Sequence, residues 1–94
     1  MNIVKKSLPV VELLAGLAEE AAELAQAALK LRRVFDGTNP TPKREEDAIE
    51  DLWEEIADVK LYVSMLDVNP REISRMMDKK LSRWEARLTQ EGVK

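Results

Sequence analysis

At 94 residues the chain has the length of one domain, near the lower end at which a single core suffices, so completion of burial by a second chain is the default expectation. With neither cysteine nor histidine it has no disulfide, no thiolate site and no imidazole ligand, leaving oxygen donors that suit hard cations such as Mg²⁺ or Mn²⁺. A net charge of −3 argues against a general nucleic-acid surface, and no apolar run nears the roughly 20 residues that cross a bilayer, so a cytoplasmic protein is expected.

The opening stretch MNIVKKSLPVVELLAG sets lysines before an apolar run, but Glu12 interrupts that run and no cleavage site follows, so it reads as mature protein. Ser7 suits an N-cap, with Pro9 tolerated in the first turn of a helix that runs to about Phe35. Leu14, Leu17, Ala21, Leu24, Ala28, Leu31 and Phe35 recur at helical spacing and predict its buried face. Val11, Ala18, Ala22, Ala25 and Leu29 widen that face beyond what one neighbour covers, which points to a dimer or larger bundle. Gly16, one turn before Glu20, reads as a site of close helix packing.

Asp36-Gly37 ends the helix, with Gly37 suited to a left-handed position. The prolines of Thr38-Asn39-Pro40-Thr41-Pro42 dictate a loop, from which Thr41 caps a second helix with Pro42 at its first position. Glu45, Glu46 and Asp47 then complement the helix dipole, and Ile49, Leu52, Ile56, Val59 and Val63 form a stripe up to about Leu66. After a tight connection at Asp67-Val68-Asn69, the sequence Asn69-Pro70-Arg71-Glu72 resembles a capping box. Helix three then carries Ile73, Met77, Leu81, Trp84 and Leu88 inward and stops near Gly92. No strand-like alternation occurs, so the predicted fold is all-α: three amphipathic helices in a bundle completed by oligomerisation.

Four acidic pairs have i,i+3 spacing, about as many as 18 acids give by chance, so position discriminates better than spacing. Glu20/Glu23 and Glu55/Asp58 border apolar stripes on two different helices, whereas Glu45 to Glu50 belongs to a helix start. Carboxylates converging from two helices repel one another unless they protonate, splay apart or hold a cation. Lys80, Arg83 and Arg87 run along the edge of the apolar face of helix three, and Lys30 and Arg33 stand late in helix one. Because Mg²⁺ is usually held by a few carboxylates together with substrate phosphates, acids and bases on one cleft suggest a polyphosphate ligand. Tyr62, on the face of Glu55 and Asp58, is placed to bond a phosphate or stack on a base.

The segments EEAAE (Glu19 to Glu23) and EEIAD (Glu54 to Asp58) resemble the EExxE…ExxD signature of the MazG-like, all-α nucleoside triphosphate pyrophosphohydrolases. The resemblance spans nearly the whole chain, read as one domain over 1–94. It implies Mg²⁺ bound by Glu20, Glu23, Glu55 and Asp58, with Glu19 as an outer acid that orients a water or a second cation, and Glu19 and Glu20 as the catalytic candidates. It further implies conversion of an NTP or dNTP to the monophosphate and pyrophosphate in a homodimer or homotetramer, with Tyr62 at the nucleotide; the spacing of the basic residues adds Lys80, Arg83 and Lys30 as substrate-binding candidates. Phosphoribosyl-ATP hydrolysis is a related chemistry on the same kind of scaffold. The alternative from the stripes alone is a non-catalytic helical oligomerisation or nucleotide-binding regulatory module.

Overall fold

Helix α1 spans Val10–Asp36, α2 Glu45–Met65 and α3 Pro70–Gln90, in a computed structural model that describes residues 8–38 and 43–90. No strand occurs among the described residues, and the chain is all-α as its periodicity predicts.

The helix ends follow local chemistry, with some differences from expectation. Pro9 is extended (φ −67°, ψ 156°) and occupies the N-cap of α1 instead of its first turn, its carbonyl accepting from the N–H groups of Glu12 (3.0 Å) and Leu13 (3.2 Å). A proline there gives up no helical hydrogen bond, because its missing N–H has no partner at a helix start. The expected cap Ser7 lies outside the described residues. At the other end Gly37 adopts φ 76°, and its N–H and that of Thr38 both donate to the Arg33 carbonyl. Asp36 locks this turn, its Oδ1 accepting from the Thr38 amide (3.0 Å) and hydroxyl (2.6 Å), bonds that hold its carboxyl below the usual range.

Helix α2 starts with Arg44 at its N-cap, while Thr41 and Pro42, expected to start it, lie outside the described residues. It closes on Asp67 in the left-handed region (φ 55°), after which Asn69 Oδ1 caps α3 by accepting from the N–H groups of Arg71 (3.0 Å) and Glu72 (3.2 Å). Only this half of the capping box forms. The Glu72 carboxylate takes the Arg75 guanidinium instead (2.9 and 3.1 Å), a charge-assisted bond stronger than one to a neutral backbone N–H.

Helices α1 and α2 pack into a hairpin, burying Leu13, Ala27 and Leu31 against Ala48 and Met65. The buried line on α1 is rotated from the predicted stripe: Leu14 is 51% and Phe35 61% exposed, while Glu20 moves inward. With one neighbour only part of an over-wide apolar face is covered, and α2 takes the side that carries the carboxylates. The inward placement expected for Ile73, Met77, Leu81, Trp84 and Leu88 is corrected, since every residue of α3 is exposed. The radius of gyration is 17.3 Å where about 12 Å is usual for this length, consistent with a third helix standing off the hairpin.

Gly16 does mark close packing. A Cβ built there would collide with the far edge of the Tyr62 ring, so the absent side chain is what lets that ring lie against α1. Alanine is favoured over glycine in a helix by about 1 kcal/mol, yet Gly16→Ala is expected to lower the melting temperature because the ring must move. In a Tyr62→Ala background the same substitution should raise it, and thermal denaturation of the four chains checks the reversal of sign.

Candidate functional site

Helical spacing places Glu20 and Glu23 on adjacent turns of α1, and hairpin packing turns them toward Glu55 of α2. One oxygen from each of the three carboxylates lies within 4.8 Å of the others. Glu20 and Glu55 are half-buried and Glu23 is exposed, so the cluster sits at the rim of the helix seam. Glu20 Oε2 and Glu55 Oε2 are each sealed from solvent with no hydrogen-bond partner. Glu20 and Glu55 also act on each other as hydrogen-bonding side chains, so a proton shared between the two carboxyls would satisfy them, as would a cation.

The electrostatics agree. Desolvation, followed by the charges of Glu23, Asp58 and Glu55, pushes the Glu20 carboxyl above its usual range. Glu55 is raised as well, by desolvation and then by Glu23 and Asp58. Asp58 is half-buried and near enough to act on both, though its oxygens stand outside the close group of three.

An all-oxygen donor set with two orphaned oxygens fits a hard divalent cation.

Beside the cluster a cleft of about 190 Å³ opens between the helices. Glu23 and Glu55 form its inner end, and Gln26, Lys30, Lys43, Asp51 and Glu54 line the rest. Lys43 is held by Asp51 at 2.7 Å, a contact that raises its pKa, whereas Lys30 has no ion-pair partner among the described residues. The cleft has the volume of about six waters at roughly 30 Å³ each, below the roughly 300–1,000 Å³ of pockets that enclose a whole small ligand. It has room for a small polar group and not for a whole small ligand.

Of the residues singled out in the sequence, the structure brings together Glu20, Glu23 and Glu55, sets Asp58 beside them and puts Lys30 in the adjoining cleft. Tyr62 lies one turn beyond Asp58, packed against Gly16. Glu19 is exposed and outside the cluster, and Lys80 and Arg83 are exposed on α3, away from the cleft lining. Gln26 and Lys43 went unnoticed in the sequence. Gln26 could have been found, since Glu23, Gln26 and Lys30 follow one helical row. Lys43 carries no such signal, because the interhelix loop alone determines where it stands. Comparison with protein-family models, curated proteins and solved structures found no match to this chain.

Folding raises the pKa of Glu20 and Glu55 above the ordinary 4.5, so their contribution to stability is fully present below that value and is lost as pH rises through the raised values. In chelator, the melting temperature of the native chain is expected to fall relative to Glu20→Gln as pH goes from about 4.5 to neutrality. At neutral pH, saturating Mg²⁺ should raise the native melting temperature by several degrees over Na⁺ of equal ionic strength and leave Glu20→Gln unmoved. Calorimetric scans over this pH series check both.

Proposed function

We propose that the chain is a Mg²⁺-dependent nucleoside triphosphate pyrophosphohydrolase, converting an NTP or dNTP and water to the monophosphate and pyrophosphate. The observation that carries this reading is the pair of sealed, unpartnered oxygens on Glu20 and Glu55, in a three-carboxylate cluster whose cleft also holds lysines. The EExxE…ExxD resemblance supports it independently. No helix among the described residues is long and apolar enough to cross a membrane.

In this reading Glu20, Glu23 and Glu55 hold the cation, with Asp58 beside them adding negative charge that favours it. Mg²⁺, or Mn²⁺ in its place, would neutralise the phosphate oxygens and make the α-phosphorus more electrophilic. Lys30, with no ion-pair partner among the described residues, binds the polyphosphate from the cleft and offsets charge on the departing pyrophosphate. The oxygen of an attacking water bonds to the α-phosphorus, the α–β anhydride bond breaks, and the water proton passes to a rim carboxylate. Either exposed Glu19 or half-buried Asp58 could take it. Base and sugar lie outside so small a cleft, so a second subunit of a homodimer or homotetramer would cover them.

The exposed apolar face of α3 favours a second reading, an oligomerisation or regulatory module in which nucleotide binds without turnover. A panel of NTPs and dNTPs, with phosphoribosyl-ATP included, separates the two. Pyrophosphate release in Mg²⁺ is expected for at least one nucleotide, with a loss of at least about 100-fold in kcat for Glu55→Gln. Lys30→Ala should raise KM about tenfold, the loss of one charge-assisted contact. Binding without release across the panel would favour the regulatory module.

A further inference from the structure

The cleft beside the carboxylates contains one interaction that the proposed reaction does not use. Lys43 Nζ lies 2.7 Å from Asp51 Oδ2, and both side chains line the cleft. The neighbouring pair is different: Arg44 meets Glu46 at 3.6 Å with side chains 75% and 72% exposed, as ordinary surface ion pairs are. The Lys43 side chain is 36% exposed, although lysine is normally among the most exposed residues. Its ammonium group lies over the cleft and not out in solvent.

The two ends of the cleft differ in charge. The carboxylate cluster stands at one end, with Glu23 on α1 and Glu55 on α2. Lys30 follows Glu23 by seven residues, about 10.5 Å along α1, and Asp51 precedes Glu55 by four residues, about 6 Å along α2. The helices of a hairpin run in opposite directions, so Lys30 and the Lys43–Asp51 pair share the other end. A polyphosphate lying along the cleft, with one end on a cation at the carboxylates, meets two ammonium groups at its other end. One of them is already taken by Asp51.

We propose that Asp51 is a built-in competitor for the terminal phosphate of the ligand: it holds Lys43 while the cleft is empty and gives it up when a cation-bound polyphosphate reaches that end. This rests on the pyrophosphohydrolase reading for the identity of the ligand, and makes Lys43 a substrate-binding residue and Asp51 a positioning residue. The exchange costs little, because the Asp51 side chain is 50% exposed and its carboxylate returns to water. Phosphate, with more charge than a carboxylate, takes the stronger charge-assisted bond from Lys43. The same exchange run backwards hastens product departure, since Asp51 recovers Lys43 as pyrophosphate leaves.

Calorimetric titration of the full chain with inorganic pyrophosphate in Mg²⁺, alongside steady-state kinetics over the nucleotide panel, tests this. Asp51→Asn keeps the shape of the side chain and removes its charge. It should bind pyrophosphate about tenfold more tightly and lower KM and kcat together, because release slows. Lys43→Ala should weaken pyrophosphate binding about tenfold, and adding Asp51→Asn to it should change nothing further. A merely structural ion pair would lower the melting temperature equally in both variants and leave pyrophosphate affinity at the native value, which would overturn the proposal. Turnover without the affinity shifts overturns the competitor and spares the pyrophosphohydrolase reading. The shifts without turnover of any nucleotide do the reverse, leaving a competitor that acts on bound polyphosphate.

Discussion

Like charges held at the seam between two helices dominate this molecule. Glu20 and Glu55 approach from separate helices, with Glu23 and Asp58 reinforcing their repulsion, and the fold offers the sealed oxygens no donor. A small domain has only a few kcal/mol of net stability to set against such an arrangement. The hairpin therefore has a built-in demand for a positive partner, which a proton meets on the raised carboxyls and for which the three carboxylates form a group that could hold a metal ion.

That demand accounts for the two-sided character of the hairpin. α1 is apolar around most of its circumference, and α2 covers only the arc that includes Leu13, Ala27 and Leu31. Choosing this arc brings the carboxylates inward and leaves Leu14, Phe35 and Trp53 outside. Polar chemistry gathers on one flank and uncovered apolar surface on the other.

Much of this was legible in the sequence. The 3.6-residue period gave three helices, Gly37 gave the end of the first, Asn69 the cap of the third, and Gly16 a close approach. Glu20, Glu23 and Glu55 were found because bordering a stripe is a property of one helix at a time. The rotation of the buried arc was not legible, since a face rich in alanine on several sides gives no unique direction for a neighbour. Nor was the exposure of α3: a hydrophobic stripe says that a helix will be covered, not by which chain. Lys43 depends on the path of a loop, and local periodicity carries no record of that.

The contact between Gly16 and Tyr62 has a mechanical consequence. Glu20 stands four residues after Gly16 and Asp58 four residues before Tyr62, so this notch and tooth lie one turn from the acids on both rods. A tooth seated in a notch resists both axial sliding and rolling, and sliding by even one residue would displace opposing carboxylates by about 1.5 Å. Relatives that exchange the glycine for a larger residue should therefore trim the aromatic ring in compensation, whatever their loops have become.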